Sequence, residues 1–408
     1  MGDSSPDTVG HAGPITAEVA VIGLGLIGSA ALRELATDGR RVVGIGPAEP
    51  AELRGHDGPF ASHYDSGRIT RHLDARREWA VLAARAIAGY ADLEAASGIS
   101  FHRPAGVVLA ERDERRIGSI TSIAAELGVA LTVTPTGDAP AFDRRLSFPD
   151  GSTLLSEPAP AGHVDPRRML AANLTVAEDH DASILREPAV AIEHGMRWRV
   201  RTAGGAVIEA ERLVVATGAH SDELVGLAGC PAFMVRGETI VMATLPEVEQ
   251  ARLAGLPSVL ARLDHPDYED LYMVPPTTYP DGSVRLKLGA TLRHVRRLDH
   301  AAERRTWMSG DDHLAELGPL RDLLTSLVPG LVADAWETRP CLITDTASEV
   351  PVVDHVMPGL VLAAGGNGFA AKSANAIGAL AARLSTDGRW TDPDLDARVF
   401  AATRISDR

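Results

Sequence analysis

Near its start the chain reads Ala17-Glu18-Val19-Ala20-Val21-Ile22-Gly23-Leu24-Gly25-Leu26-Ile27-Gly28. The first six residues are mostly apolar and β-branched, which predicts a buried strand. The pattern G-x-G-x-x-G follows at once, residues 29–37 read as a helix, and residues 41–45 read as a second strand. A strand, this glycine pattern and a helix in that order predict a βαβ unit whose first turn binds the pyrophosphate of a dinucleotide.

Each glycine of this pattern has a predicted role. Gly23 permits the tight turn, Gly25 lets a pyrophosphate approach the backbone, and Gly28 lets the helix pack closely on the strand. The helix N-terminus then faces the phosphate charge. The acidic residue that usually binds the adenosine ribose is missing, because Gly46 stands at its position and Glu49 lies past the turn. We therefore expect an altered ribose contact.

Two later segments repeat the pattern of a buried strand that ends in small residues. They span residues 212–219 and 360–364. The second enters the turn Gly365-Gly366-Asn367-Gly368-Phe369, after which a helix is predicted from about Ser373. Because the strand-to-glycine segments are spread over the whole chain, they predict one nucleotide-binding domain assembled from separated pieces.

These segments divide the chain into two predicted domains. The Rossmann-like cofactor domain takes residues 17–100, 161–230 and 336–408. Residues 101–160 and 231–335 are richer in long alternating strands, which predict an α+β substrate domain with an antiparallel sheet that covers the cofactor. The predicted fold class is therefore α/β, and residues 1–16 are expected to form a disordered leader.

The composition argues against several classes of protein. The formal net charge of −15 over 408 residues disfavours nucleic acid and anionic membranes as partners. No apolar run is long enough to predict a membrane span, and residues 1–16 do not resemble a signal peptide. We therefore expect a cytoplasmic protein in which Cys230 and Cys341 are reduced thiols, and we expect no metal site.

The basic residues are strongly biased towards arginine. Of 40 lysines and arginines only two are lysines, Lys287 and Lys372. Lysine is a compact charge whose proton affinity changes readily on burial, whereas arginine is a bulky fork that stays charged. The two lysines therefore indicate roles that arginine cannot fill.

Four further segments carry a resemblance to a known family. They are Ser62-His63-Tyr64-Asp65-Ser66-Gly67-Arg68-Ile69-Thr70-Arg71-His72, Tyr272-Met273-Val274-Pro275 with Leu286-Lys287-Leu288-Gly289, Arg339-Pro340-Cys341-Leu342-Ile343-Thr344-Asp345-Thr346, and the turn Gly365–Phe369. With these segments the chain resembles the flavin-dependent amine oxidases of the D-amino-acid-oxidase superfamily over about residues 17–390. The closest branch is that of monomeric sarcosine oxidase and N-methyltryptophan oxidase.

The resemblance implies FAD as the cofactor and O₂ as a partner. It implies oxidation of the C–N bond of a small amino or imino acid, with a secondary amine next to a carboxylate, and release of hydrogen peroxide. The flavin would supply the redox chemistry, while the protein would orient and polarise the reacting groups. We expect the protein to act as a monomer.

By position, the resemblance also implies roles for single residues. Cys341 would attach the flavin covalently, Arg71 would bind the substrate carboxylate, and Tyr272 would line the substrate site. Lys287 would stabilise the charge that develops as O₂ accepts electrons, and Lys372 would replace the lysine that the family has after the glycine turn. The expected cofactor-binding residues are Gly23, Gly25, Gly28, Ser62, Arg68, Ile69, Val190, Gly218, Cys341, Gly366, Asn367, Gly368, Phe369 and Lys372.

The chain departs from the family pattern near the substrate. Ser66-Gly67, Ile343, Thr291 and Ala370 replace the family's Asp-Thr, Tyr, His and Lys. Lys372 lies two residues beyond the family lysine, and on a regular helix that shift would turn its side chain to nearly the opposite face. We therefore expect a substrate other than sarcosine.

Other functions stay open from the sequence. One is a flavin-dependent dehydrogenase or desaturase that acts on a biosynthetic amino-acid intermediate without O₂. Another is a nicotinamide-dependent dehydrogenase, which only the first βαβ unit supports. No proton-transfer role is assigned to His63, His72 or His220.

Overall fold

The computed structural model describes residues 13–138, 142–224 and 233–402. The strands are β1 (Ile15–Ile22), β2 (Val42–Ile45), β3 (Arg68–Thr70), β4 (His102–Arg103), β5 (Val107–Glu111), β6 (Thr132–Thr134), β7 (Thr153–Glu157), β8 (Gly162–Val164), β9 (Ser183–Leu185), β10 (Ala189–His194), β11 (Trp198–Thr202), β12 (Val207–Val215), β13 (Met234–Thr244), β14 (Ser258–Arg262), β15 (Tyr268–Thr278), β16 (Val284–Leu292), β17 (Arg296–Arg297), β18 (Ala335–Asp345), β19 (Val352–Met357) and β20 (Leu360–Ala364). The helices are α1 (Leu26–Thr37), α2 (Arg77–Ala88), α3 (Tyr90–Ser97), α4 (Glu114–Glu126), α5 (Pro166–Asp179), α6 (Glu247–Leu253), α7 (Ala301–Ser309), α8 (Leu317–Leu327) and α9 (Ala374–Asp387).

The first sheet has eight strands in the order β10-β11-β12-β1-β2-β9, and β20 joins β12 and carries β19. Its centre is parallel, because β1 pairs with β2 and β12, β2 with β9, and β12 with β20 in that sense. Alternate residues of β1 point to opposite faces. Val19 and Val21 pack with helices α1, α5 and α9, whereas Ala20 and Ile22 pack with Trp198 on the other face. This arrangement confirms the predicted α/β class and the βαβ unit at residues 15–45.

Strand β1 begins at Ile15, inside the leader predicted for residues 1–16. Ile15 and Thr16 pair with Ile208 and Glu209, so they belong to the sheet. The boundary at residue 16 is therefore wrong by two residues, because backbone pairing with β12 continues beyond the apolar run. Residues 1–12 lie outside the described part of the chain.

The second sheet has nine strands in the order β17-β13-β16-β15-β14-β5-β7-β6, with β18 on β13. Its pairings are antiparallel except for that of β14 with β5. Along β16, Leu286 and Leu288 enter a core that α8 covers, so Lys287 points to the opposite face. A small third sheet, β3-β8-β4, holds part of the segment that includes residues 62–74.

The predicted division into domains stays a proposal. The first sheet draws on residues 15–45, 183–215 and 352–364, and the second on residues 107–157 and 234–345. One strand differs from the prediction. β18 pairs with β13 along its length, although the sequence analysis places residues 336–408 with the cofactor domain. Within the described residues, the structure contains no helix of a length and apolarity that would cross a bilayer.

Candidate functional site

A cleft of about 510 Å³ opens at the carboxyl ends of the parallel strands. Its walls come from the turn after β1, the end of β2, residues 57–64, the start of β10, the end of β12, β18 and the turn after β20. This is where open α/β sheets bind ligands. The predicted residues that line it are Gly23, Gly25, Ser62, Arg68, Val190, Gly218, Cys341, Gly366 and Gly368.

The glycine turn at one end of the cleft has the properties of a phosphate site. Helix α1 begins after Gly25, and no side chain caps its first turn, so its N–H groups are free for a ligand. A Cβ atom on Gly25 would have no atom within 4 Å, which leaves room for a pyrophosphate. A Cβ atom on Gly28 would instead overlap the Gly23 carbonyl and lie 3.2 Å from Cβ of Ala216. Gly28 therefore allows the turn to form without lining the cleft.

The structure gives a physical reason for the missing acidic residue at position 46. A Cβ atom on Gly46 would lie 2.7 Å from the backbone nitrogen of Leu24, so the glycine turn leaves no room for a side chain. Glu49 does not replace it, because its carboxylate pairs with Arg167 at 2.6 Å. Pro47 and Val190 line this end of the cleft.

Four other predicted cofactor residues are not among those that line the cleft. Ile69 pairs with His163 in the third sheet. Asn367 has a φ of 47°, donates to the Gly365 carbonyl at 2.8 Å and accepts from the Thr346 N–H at 2.9 Å, so it shapes the turn after β20. The rings of Phe369 and Trp79 lie 5.7 Å apart. Lys372 is buried away from the cleft.

Lys287 lies in a buried cluster of charges beside the cleft. Its Nζ donates to Oδ2 of Asp65 at 2.6 Å and to the carbonyl of Gly67. The same carboxylate oxygen pairs with Arg68, which lines the cleft. Tyr279 donates its hydroxyl to Oδ1 of Asp65 at 2.9 Å. Lys287 is therefore separated from the cleft wall by one carboxylate and one guanidinium group.

Burial and charge shift the pKa values of this cluster. Burial, together with the charge of Arg68, lowers the pKa of Lys287 to about 8, although Asp65 opposes the shift. Burial would raise the pKa of Asp65, but Lys287 and Arg68 hold it well below its usual range. Asp65 is therefore ionised at neutral pH, and Lys287 loses its proton more readily than an exposed lysine.

Tyr272 lies on the same face of the second sheet as Lys287. The two residues are on neighbouring strands, and the ammonium group lies 5.3 Å from the ring centroid. Gly289 makes this position possible, because a Cβ atom there would lie 2.5 Å from the ring. Burial raises the pKa of Tyr272 above its ordinary value, so its hydroxyl stays protonated.

Cys341 lines the cleft from β18. Its Sγ lies 3.9 Å from Nη2 of Arg68, and its carbonyl accepts from Nε1 of Trp307 at 3.1 Å. Burial raises the pKa of the thiol, while Arg68 acts in the opposite direction. Ile343, two residues on, lies near Gly368 on the opposite wall.

The structure brings Arg71 and Lys372 together. Both contact Oδ2 of Asp74, at 3.1 Å from Nη1 of Arg71 and 2.7 Å from Nζ of Lys372. Lys372 reaches Asp74 because residues 370–372 form a separate 3₁₀ turn before α9 begins. The two-residue shift of Lys372 relative to the family lysine thus lies outside a regular helix. It therefore does not turn the Lys372 side chain to the opposite face of a helix.

The sequence did not indicate the two aspartates that contact the lysines. Asp65 and Asp74 both lie in or just after the segment that carries the resemblance, and each is nearly buried. A signal was available, because a buried lysine needs an anionic partner. Nothing in the sequence says which of 55 acidic residues it would be.

The histidines near the cleft have different surroundings, and His220, which lines the cleft, contacts Oε1 of Glu223 through Nδ1 at 2.8 Å. Burial lowers the pKa of His63 to about 3, so the ring is neutral, and its buried Nδ1 has no hydrogen-bond partner among the residues that the structure describes. His72 contacts Oε1 of Glu157 through Nδ1 at 2.5 Å. The view that none of these histidines transfers a proton stays a prediction.

Comparison with known proteins agrees with this geometry. The family profile described as DAO, FAD dependent oxidoreductase, matches residues 18–384. A search of curated proteins gave no match. Among solved structures, NikD, described as an unusual amino acid oxidase essential for nikkomycin biosynthesis, has 20% identity and a TM-score of 0.75 over 96% of this chain and 98% of its own. L-proline dehydrogenase from P. horikoshii has 18% identity and a TM-score of 0.72, over 95% and 97% of the two chains. Glycine oxidase from Geobacillus kaustophilus has 20% identity and a TM-score of 0.70, over 95% and 99%.

The structural likeness, at these identities, shows a shared fold, whereas the family match covers most of the chain. The cleft fits FAD in two respects. One end has an uncapped helix with an open glycine turn, and the other presents a thiol and a guanidinium group. The chain therefore belongs to the DAO family of FAD-dependent oxidoreductases.

Proposed function

We propose that this protein is an FAD-dependent, sarcosine-oxidase-like amine oxidase. It would oxidise the C–N bond of a small amino or imino acid with a secondary amine, and reduce O₂ to hydrogen peroxide. The observation that carries the proposal is the buried Lys287, on the same sheet face as Tyr272 and one ion pair from the cleft wall. Bound FAD would accept two electrons from the C–N bond and pass them to O₂.

The residues around the cleft would have separate tasks. Arg71 would bind the substrate carboxylate, since a guanidinium fork matches that group. Tyr272 would shape the substrate side of the cleft with a protonated hydroxyl. Lys287, which is 1% exposed, would supply positive charge where O₂ is reduced.

We also propose that Cys341 carries the flavin covalently. Its sulfur lines the cleft, and Arg68 lies 3.9 Å away, where it favours the thiolate that has to attack. The names of two structural neighbours, an amino acid oxidase and a glycine oxidase, support an amino acid as the substrate class. A monomeric state and a cytoplasmic location stay predictions from the sequence.

A flavin-dependent dehydrogenase or desaturase is the second candidate. The contact that favours it is the 2.6 Å ion pair between Lys287 and Asp65. The negative charge of Asp65 offsets the positive charge of Lys287, which leaves less positive charge to stabilise O₂ as it accepts electrons. One structural neighbour is named a proline dehydrogenase. Membership of an FAD-dependent family leaves the nicotinamide alternative without support.

The test uses the purified holoenzyme. Flavin absorbance should be present, and acid precipitation should leave the yellow colour in the pellet, whereas Cys341→Ala should release it to the supernatant. Small secondary amino acids should bleach the flavin without air, and admitted O₂ should restore the colour with one peroxide per turnover. Bleaching without reoxidation would select the dehydrogenase or desaturase, and free flavin from the unmutated protein would rule out the covalent link.

A further inference from the structure

Asp74 lies between two buried cations, Arg71 and Lys372, next to the turn after β20 that lines the cofactor cleft. Its Oδ2 contacts Arg71 and Lys372, and its Oδ1 accepts from the backbone N–H of Arg76 at 3.1 Å. Each carboxylate oxygen therefore has a partner, which holds the group in one orientation. A carboxylate between a guanidinium and an ammonium group has the contacts that a bound substrate carboxylate would have.

The cluster lies close to the cofactor cleft and to a partly exposed aromatic residue. Ala370 and Ala371, which precede Lys372, line the cleft. The ring of Phe369 lies 6.0 Å from Cζ of Arg71 and 5.9 Å from Nζ of Lys372, and 43% of that residue is exposed. Phe369 is therefore a partly exposed neighbour of both cations.

Other nearby carboxylates are engaged elsewhere. Glu157 accepts from the backbone N–H groups of His72 and Leu73, and Glu349 pairs with Arg76. In the described residues, Asp74 is the acidic side chain in ion-pair contact with Arg71 or Lys372. Burial would raise the pKa of Asp74, but these two cations hold it well below its usual range, so it stays ionised.

We propose that Asp74 occupies the carboxylate-binding site formed by Arg71 and Lys372 in the substrate-free enzyme, and that a carboxylate ligand has to displace it. The inference rests on the proposed function, in which Arg71 binds the substrate carboxylate. A side chain that occupies the site part of the time raises the apparent Kd of a ligand. The apparent Kd equals the intrinsic Kd divided by the fraction of time that the site is open. The enzyme would thereby reject simple monocarboxylates and favour substrates that make additional contacts.

Benzoate, a planar carboxylate that has no amine to oxidise, tests this inference. The holoenzyme and Asp74→Asn are titrated with benzoate, and the change in the visible flavin spectrum gives Kd. If Asp74 closes the site about nine-tenths of the time, Asp74→Asn should bind benzoate about tenfold more tightly. An unchanged or higher Kd in Asp74→Asn would overturn the proposal.

Further variants complete the test. Asp74→Asn/Lys372→Met keeps the local net charge of the unmutated cluster, so it serves if two unpaired cations prevent folding. It should bind benzoate more tightly than Lys372→Met, which lacks the same cation, and an equal Kd in these two variants would count against the proposal. Glu349→Gln removes a neighbouring exposed carboxylate and should leave the Kd of benzoate unchanged. An equal gain in benzoate affinity there would show a general charge effect and overturn the proposal that Asp74 competes with the ligand.

The result is distinguishable from failure of the proposed function. A protein that fails to oxidise amino acids can still be titrated with benzoate, and calorimetry measures the same Kd where no flavin is bound. A tenfold difference in benzoate Kd between the unmutated protein and Asp74→Asn, without any substrate oxidation, would support the Asp74 proposal and contradict the proposed oxidase function.

Discussion

Each lysine of this chain contacts a buried carboxylate from a single short segment. Lys287 pairs with Asp65 and Lys372 with Asp74, over 222 and 298 residues of sequence. The sequence predicted that the lysines matter, because they are rare, but it did not predict their partners. Periodicity indicates which face of a strand a residue occupies, whereas an ion pair depends on how distant elements pack.

Lys287→Met should separate the two half-reactions. Reduction of the flavin by substrate without air should change little, and reoxidation by O₂ should slow about a hundredfold, the scale expected when one preorganised stabilising group is lost. Stopped-flow absorbance measures both. Equal reoxidation rates in the variant and the unmutated enzyme would favour the dehydrogenase or desaturase.

The same residue predicts a pH dependence. Since the pKa of Lys287 is lowered to about 8, the ammonium is present below that pH and lost as the pH rises through it. Reoxidation should therefore slow above about pH 8 in the unmutated enzyme, and this inflection should be absent in Lys287→Met. Lys372, whose pKa burial also lowers to about 8, provides the matched control. Lys372→Met should keep the inflection in reoxidation.

At the scale of elements, sequence patterns predicted several strands and helices around the glycine turns. The predicted strand at residues 360–364 coincides with β20, and the helix predicted from Ser373 begins at Ala374. The sheet to which a strand belongs was harder to predict. β18 carries Cys341, which the resemblance places beside the flavin, yet its backbone pairs with β13 of the second sheet. The strand pairs within the plane of the second sheet while its side chains point out of that plane, so Cys341 can line the cleft.

The glycine turn gives a matched pair of substitutions. Gly28→Ala would place a methyl group against the Gly23 carbonyl, so the flavin-free protein should lose about 3 kcal/mol or more of unfolding free energy. Gly25→Ala meets no protein atom within 4 Å, and its φ of −76° suits any residue, so stability should change little. Its methyl group enters the cleft, however, and flavin content should fall. Thermal unfolding and flavin absorbance measure both effects, and equal stability losses would contradict this account of the turn.

At the scale of the whole molecule, the segment with residues 62–74 ties the two large sheets together. Asp65 contacts Lys287 of β16 in the second sheet, and Ser62 donates to the carbonyl of Leu342 in β18 of the same sheet at 2.9 Å. Asp74 contacts Lys372, which follows β20 of the first sheet. The sequence indicated both sheets and this segment, but not that the segment joins them. Contacts between domains depend on three-dimensional packing, which has no period in the sequence.

This connection predicts a loss of stability in acid. The folded-state pKa of Asp65 is held below its unfolded value of about 3.9, so its contribution is present above that pH and lost as the pH falls below it. Lys287 is protonated in both states below about pH 8 and adds no slope there. Urea unfolding at pH 7, 5, 4 and 3 should show the stability difference between the unmutated protein and Asp65→Asn/Lys287→Met shrinking below about pH 4. A constant difference would contradict this role for Asp65.

The burial of both lysines has a consequence for proteolysis. Only 1% of Lys287 and 3% of Lys372 is accessible, and the chain has no other lysine. A protease that cleaves only after lysine therefore finds no substrate in the folded protein and two sites in the opened one. The fragments would end at residues 287 and 372, so the first cut to appear would show whether β16 or the turn before α9 opens first. Because the chain has only two lysines, the order in which lysine-specific fragments appear reports which of these two regions unfolds first.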